Sequence, residues 1–565
     1  MTGAPNHSAN EISAMTDRPG RSAVYLVILL AGGVLLFSFL GRVALFDWDE
    51  INFAEIAREM IVSREYLNVQ IDFKPFWEKP PLFIWMQALS MRIFGVNEFA
   101  ARFPNAIGGI VTLVVLYEMG RRIHNARLGA LWALVYAGSI LPFFYFKSGI
   151  IDPWFNLFIF SGVYQATLYL AATERRSLHI FLSGLLIGLG VLTKGPVALL
   201  IFGLVAAVWL VASKFRVKVT LGHVLLFLAG LTLTGGSWFA VQIATGHADV
   251  VREFITYQIR LFSTKDAGHG GFPGYHVAVL AVGLFPASAF FLGGLWASPE
   301  ETPLQKTWRQ VCIILLFTVL ILFEIVRTKI LHYSSLAYFP LTFLAALSIT
   351  RTIDRHEAFT TLTKGVLIAT GGIVVLAITG LCLVGIFRER IVQSGLIRDP
   401  FVMGNLQADV PWTGYEWVVA LIPIAAVLLF LLLERPTARI VALFSLNMLF
   451  VFSMLFVFTD RIAGHTQKVA VDFYKSKSAE DCYIQALGFK SYAHLFYGNK
   501  RPHLDPSSSD SEWLAGGEID KPAYFVYKVK KREEYRTRYP KLTVLYEKNG
   551  FVFAARHPEG ALAQP

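Results

Sequence analysis

Apolar runs of about twenty residues, the helical length that crosses a bilayer, recur along the chain from about residue 22 to about residue 458. They lie near 22–45, 104–122, 128–146, 153–172, 178–193, 195–213, 219–243, 274–297, 310–326, 332–350, 365–387, 415–433 and 438–458. This pattern predicts an α-helical polytopic membrane protein with about thirteen transmembrane helices. The polar turns between the runs alternate in kind. One set is short and basic: Arg121, Arg122 and Arg127; Arg175 and Arg176; Lys214, Arg216 and Lys218; Lys306 and Arg309; Arg351, Arg355 and Lys364; Arg435 and Arg439. Excess Lys and Arg mark cytoplasmic loops, so the N-terminus is expected inside. The opposite set contains longer loops at 46–103, 244–273 and 388–414.

Both ends differ from the middle. Residues 1–21 are polar and read as a disordered cytoplasmic tail. Residues 22–458 form the membrane domain, and 459–565 have the composition of a small soluble α/β domain on the outer, periplasmic side of a bacterial inner membrane. Strand-like runs stand at Tyr524–Tyr527, Leu542–Glu547 and Phe551–Ala554, with a helical stretch around Lys490–Tyr497. Within the first outer loop, Phe53, Ile56, Ala57, Met60 and Ile61 recur at helical spacing, and Pro80-Pro81 opens a second helix. Both are predicted to lie in the membrane interface with one face in lipid.

Composition agrees with this picture. Hydrophobic residues make up 55% of the 565 and charged residues 16%, with a mean hydropathy of +0.52. Soluble domains carry about a quarter charged residues, so a water-soluble globule is excluded. The formal charge of +11 belongs to cytoplasmic loops rather than to a nucleic-acid surface. Cys312, Cys382 and Cys482 form no metal spacing and no disulfide framework. The first apolar run, after Arg18 and Arg21, is too long for a signal-peptide core and reads as an uncleaved span.

The polar residues that could carry chemistry collect at one membrane face. Asp49 and Glu50 open the first outer-loop helix, and Asp152 stands before Pro153 at the head of the fourth span. Either site could be a helix cap. Two carboxylates reaching one boundary from distant parts of the chain could also take a proton from an attacking hydroxyl. Lys79, Lys194, Arg327 and Lys329 stand in outer turns, against the positive-inside bias; they could bind phosphate, or snorkel to headgroups. His269 and His276 flank a Gly-rich stretch. Glu78 with His269 could bind a divalent metal, the alternative being an ordinary loop histidine.

Three motifs carry a resemblance: Asp49-Glu50-Ile51-Asn52-Phe53-Ala54-Glu55-Ile56-Ala57-Arg58-Glu59-Met60, Phe76-Trp77-Glu78-Lys79-Pro80-Pro81-Leu82, and Asn97-Glu98-Phe99-Ala100-Ala101-Arg102-Phe103-Pro104. Leu192-Thr193-Lys194-Gly195-Pro196 and Arg327-Thr328-Lys329, followed by Tyr333 and Pro340, extend it. Together they resemble the dolichyl-phosphate-mannose–protein mannosyltransferase-like glycosyltransferases, family 39, and within it most look like the aminoarabinose transferases of lipid A. The resemblance implies a GT-C-type fold and transfer of a sugar, with inversion, from a polyprenyl-phosphate donor to an extracytoplasmic lipid or glycan acceptor. It implies no nucleotide or redox cofactor. Asp49 and Asp152 match the family's acidic positions, Lys79 and the other outer cations its phosphate-binding groups, and Glu78 with His269 a metal-associated pair. At Asn52 and Phe53 the aminoarabinose branch commonly has Arg and Tyr, and loss of that Arg favours a hydroxyl over a phosphate acceptor. Rival readings are a protein O-glycosyltransferase and a polyprenyl-phosphate-binding permease or flippase. A permease should carry ionisable residues near mid-span; here the spans are nearly free of charge, with Glu118 and Glu324 near their ends.

Overall fold

The computed structural model describes residues 20–171, 174–216, 219–263, 271–326, 328–503 and 506–558. Among them, seven helices are long and apolar enough to cross a membrane: Glu98–Ile123, Arg176–Lys194, Leu221–Ala244, Pro303–Ile325, Leu331–Asp354, Thr361–Ile386 and Pro436–His465. Shorter apolar helices, including Arg21–Phe37, Ala126–Ala137 and Val197–Ala212, run beside them. Their outward surface is apolar: Leu26, Val27, Leu30, Ile325, Leu376 and Leu432 are exposed. A water-soluble bundle would bury such residues, whereas lipid accepts them without cost.

Inside the bundle, aromatic side chains from distant segments interlock. Trp132 packs edge-on against Phe160 and Phe343, and Trp308 against Phe160 and Tyr164. The indole of Trp132 donates to Thr342 Oγ1 at 3.1 Å, so its polar atom is not stranded in the core. Where side chains are absent, backbones meet. A Cβ on Gly184 would overlap the Phe227 carbonyl oxygen, and one on Gly230 that of Phe181. Small residues let helices without a hydrophobic driving force between them approach closely.

Four helices matter for the site: α1 (Asp49–Ser63), α2 (Leu82–Phe94), α3 (Asp152–Ala171) and α4 (Arg176–Lys194). Helix α2 carries apolar residues on both faces, with Phe83, Ile84 and Met91 buried and Leu89, Ile93 and Phe94 exposed. Helix α1 is not an interfacial helix with one face in lipid. From Glu50 to Met60 every residue but Asn52 is buried, because α1 is enclosed by α2, a short hairpin and the C-terminal residues. Apolar spacing showed one face of α1. It could not show that the polar face, Glu50, Glu55, Arg58 and Glu59, is also internal. Arg58 chelates Glu55 at 2.6 and 2.7 Å, and Glu59 accepts the backbone N–H groups of Asp72 and Phe73 at 2.7 and 2.9 Å. Those two residues, both at positive φ, form the turn between β1 (Gln70–Ile71) and β2 (Lys74–Pro75).

Beyond the helix Pro436–His465, the helix Lys468–Lys477 leads into a four-stranded sheet of order β3-β4-β6-β5, made of Tyr483–Leu487, Ala523–Lys528, Phe551–Arg556 and Thr543–Lys548. Strands β3 and β4 are parallel, and the other pairings antiparallel. Strands β4, β5 and β6 fall on the runs read as strand-like, whereas β3 lies where none was expected. One apolar core unites Val526, Phe551 and Phe553 of this sheet with Phe473 and Phe496 and with Ile51, Phe53 and Met60 of α1. The C-terminal residues therefore pack as a continuation of the first loop.

Candidate active site

Asp49 begins α1, but it does not cap it. The cap position is Trp48, at φ 72°, and no side chain supplies a capping hydrogen bond. Asp49 is instead half-exposed and meets His332, whose Nε2 lies 3.4 Å from Asp49 Oδ2. His332 belongs to the 3-10 segment Leu331–Ala337, and its carbonyl accepts Ser335 Oγ–H, whose oxygen in turn accepts Asn156 of α3. Sequence reading had passed over His332; its one signal was its place between Lys329 and Tyr333 in a motif already singled out.

Glu50 parts company with Asp49. Its carboxylate accepts two bonds at 2.8 Å from the buried Arg102 guanidinium, one at 2.8 Å from Phe46 N–H and one at 2.6 Å from Gly149 N–H. Arg102 spends its remaining donors on the carbonyls of Leu40, Val43 and Ala44. With its lone pairs engaged, Glu50 is a brace joining three segments and not a base, which corrects its grouping with the catalytic carboxylates.

Asp152, at the first position of α3, accepts Lys194 Nζ at 2.7 Å. Its other oxygen is buried without a hydrogen-bond partner among the described residues. Lys194 ends α4 and sits over the rings of Phe155 and Tyr333 at 5.5 Å each. Lys79 lies over the Tyr257 ring at 5.7 Å and makes no hydrogen bond or ion pair within the described residues. Burial pushes its ammonium below the usual lysine range, while the carboxylates of Glu78, Asp49 and Asp152 pull the other way and Lys194 adds to the depression. A cation held thus gains most when an anion arrives. Lys79, Asp152, Lys194, Gln258, Thr328 and Tyr333 line one cavity of ≈ 110 Å³. Val197, Ile201, Leu322, Phe323 and Val326 complete its lining with apolar surface.

The remaining candidates stand differently. Lys329 is already engaged: it donates to the carbonyls of Phe323 and Glu324 at 2.7 Å and to the Glu324 carboxylate at 3.3 Å. It closes the C-terminal end of the helix Pro303–Ile325, a common use of a lysine there. Glu78 accepts the Tyr257 hydroxyl at 3.1 Å. Arg327 and His269 lie outside the described residues. Among the described residues no group of three or more His, Cys, Asp or Glu could hold a metal.

With this geometry in view, comparison with known proteins is informative. Residues 78–238 match the family profile described as dolichyl-phosphate-mannose-protein mannosyltransferase. The chain is 26% identical over 400 residues to the undecaprenyl phosphate-alpha-4-amino-4-deoxy-L-arabinose arabinosyl transferase of Pectobacterium carotovorum, covering 69% of this chain and 70% of that one. The first such enzyme of Proteus mirabilis is 27% identical over 350 residues, 61% of this chain and 62% of that one. Among solved structures, ArnT from Cupriavidus metallidurans bound to undecaprenyl phosphate superposes with a TM-score of 0.75 at 16% identity, covering 96% of this chain and all of that one. The oligosaccharyltransferase of Archaeoglobus fulgidus gives 0.50 at 11% identity over 90% of this chain and 70% of that one. The chain is thus similar in sequence to the mannosyltransferase-like proteins over residues 78–238 and to the aminoarabinose-type transferases over about two thirds of its length, and it has the fold of the latter.

Proposed function

We propose that this protein is a membrane glycosyltransferase that moves a sugar from a polyprenyl-phosphate donor to an acceptor outside the cytoplasm. The observation that carries the reading is that Lys79, Asp152 and Lys194, from three separate segments, line one cavity together with apolar side chains, with Asp49 close enough to Lys79 to act on its charge. Such a cavity matches a phosphate attached to an isoprenoid chain. Lys79 offers an ammonium with no hydrogen bond or ion pair among the described residues, and Lys194 is aimed by Asp152. Together they would stabilise the negative charge that grows on the departing phosphate. Asp49, with His332 beside it, is placed to take the proton of an incoming hydroxyl, and attack from the face opposite the leaving phosphate inverts the anomeric centre. Lipid A, lipopolysaccharide core and other envelope glycans are the acceptor classes. The relatives named for aminoarabinose transfer favour the first, and Asn52 in place of Arg favours a hydroxyl.

The accompanying topology has thirteen spans, the N-terminus cytoplasmic, and α1 with the C-terminal sheet on the periplasmic side of a bacterial inner membrane. No step is assigned to a metal. A divalent ion at Glu78 and His269 has its own test: chelation followed by metal analysis and turnover, in which unchanged activity with no bound metal removes it.

The deciding experiment is a clean deletion complemented with wild type or Asp49→Asn, with lipid A, core oligosaccharide and periplasmic glycoproteins compared by mass spectrometry. A sugar-sized mass should vanish in the deletion and return only with wild type. Transfer by the variant should fall by about 10²- to 10⁴-fold, the usual contribution of a general base. Full restoration by Asp49→Asn would end the catalytic assignment. Movement of lipid-linked sugar across proteoliposomes by that same variant would favour a flippase.

A further inference from the structure

A second cavity, of ≈ 620 Å³, lies in the C-terminal region, lined by Tyr483 and Ile484 of β3, by Gly498–His503 and by Ser508. Its volume falls in the range of small-molecule sites, and its lining is unlike that of a packing defect. Lys500, Arg501 and Lys521 contribute cations, Glu480 and Asp481 carboxylates, and Tyr483 an aromatic ring. Empty packing defects are apolar, whereas this one is walled by charged and polar groups, Glu480 among them paired with Lys477 at 2.7 Å.

Two of the cations are already committed. Lys500 pairs with Asp72 and donates to Ser509 Oγ at 2.9 Å. Lys521 pairs with Asp481 at 2.7 Å and lies 4.7 Å from the centre of the Tyr483 ring. Arg501 is exposed on the wall and has no ion-pair partner among the described residues. His494 also lines the cavity; it is 6% exposed, and its Nδ1 is buried without a hydrogen-bond partner among the described residues. Burial, with Lys500 nearby, lowers this imidazole to about 4, so it is neutral and able to serve hydroxyls. A guanidinium with no ion-pair partner among the described residues suits a phosphate or carboxylate, carboxylates accept from hydroxyls, and an aromatic face packs on aliphatic C–H groups. These are the contacts of a charged sugar.

We propose that this cavity binds an anionic saccharide, a sugar carrying a phosphate or carboxylate group, at a site separate from the Lys79–Asp152 cavity. Its wall is fixed to the helix that begins at Asp49: Arg58 donates to the Lys500 carbonyl at 2.8 Å and to Asn499 Oδ1 at 3.4 Å.

The test uses the full chain in nanodiscs, titrated calorimetrically with glucose 1-phosphate, glucuronate, glucose and inorganic phosphate. Saturable binding of the two charged sugars is expected at millimolar or lower concentration, with glucose and phosphate each much weaker. Arg501→Ala should weaken it by about tenfold or more, the loss of a charge-assisted contact, with an unchanged unfolding temperature because the side chain is exposed. Lys79→Ala should leave it unchanged. Loss with Lys79→Ala but not with Arg501→Ala would assign the ligand to the membrane cavity and overturn the proposal. Equal affinity for inorganic phosphate or for glucose, or no heat with either charged sugar, would overturn it as well.

Discussion

Lys79 shows how one residue's surroundings decide its use. An ammonium on an ordinary membrane-facing loop reaches for headgroups or a carboxylate, whereas this one is turned inward, over Tyr257, with no hydrogen bond inside the described structure. Burial lowers its proton affinity in the empty protein, and a bound phosphate would restore it. The sign follows. The charged form binds the donor, so affinity should fall as pH rises through the depressed value, below the ordinary lysine range, and should be flat at lower pH. Donor affinity measured between neutral and alkaline pH checks this. Lys79→Arg, which stays charged, should lose the alkaline decline, and Lys79→Ala should bind weakly at every pH. The contrast with Lys329 is instructive, because the two lysines looked alike in sequence. Each precedes apolar residues at the same membrane face, and no local pattern says that one ammonium finds three oxygens at a helix end while the other finds none. Asp49 and Glu50 diverge for the same reason. Their neighbours in space, His332 for one and Arg102 for the other, arrive from far along the chain. Element positions were readable from periodicity; partners across elements were not.

At the scale of elements, α1 departs most from expectation, and its internal polar face has a consequence. Burial and the adjacent Glu55 carboxylate push Glu59 up to about 9, so the folded protein keeps a proton that the unfolded chain gives up near the ordinary glutamate value. A carboxylate raised in this way makes folding less favourable as pH rises from about 4.5 to about 9, after which the effect is constant. Thermal unfolding followed across that window should show the decline. It should be reduced in Glu59→Gln, which is neutral throughout and still presents an oxygen to the Asp72–Phe73 turn. An equally steep decline in the variant would mean that Glu59 is ionised in the fold. Helix α4 offers a steric prediction. Gly184→Leu drives a side chain into the backbone of the neighbouring helix, at a cost typical of overpacking, about 1–3 kcal/mol or more, read as a lower unfolding temperature and poorer yield. Gly203→Ala, where a Cβ meets nothing within 4 Å, should be neutral. Apolar runs located both helices in sequence. That glycine marks the contact of one and only the outer face of the other follows from packing alone.

Across the whole molecule, the C-terminal residues bear on the active site through the chain just before Asp49. Tyr497 Oη accepts Leu45 N–H at 2.7 Å, Gln467 donates to the Leu45 carbonyl at 2.6 Å, and Ser491 donates to Asp47 at 2.7 Å. On the other side of α1, Arg58 and Asp72 are tied to residues 499 and 500. Residues 459–565 read in sequence as a separate soluble domain, because composition changes abruptly after the last apolar run. Composition cannot reveal a shared core, and here Phe551 and Phe553 complete the packing of Ile51 and Phe53. A chain ending at residue 466 should therefore lose transfer to every acceptor, including a minimal soluble one, since Asp49 loses its support and Arg58 its partners. A lid would leave turnover of the minimal acceptor intact, so that single comparison separates the two roles. Because such a truncation can fail to accumulate, Tyr497→Phe supplies the independent measurement. It removes one hydroxyl and leaves the buried Leu45 N–H without an acceptor, a loss of about 1–3 kcal/mol. A lowered unfolding temperature together with a lowered kcat would show that stability and Asp49 placement run through this contact. An unchanged kcat in a destabilised protein would confine the C-terminal region to holding the fold.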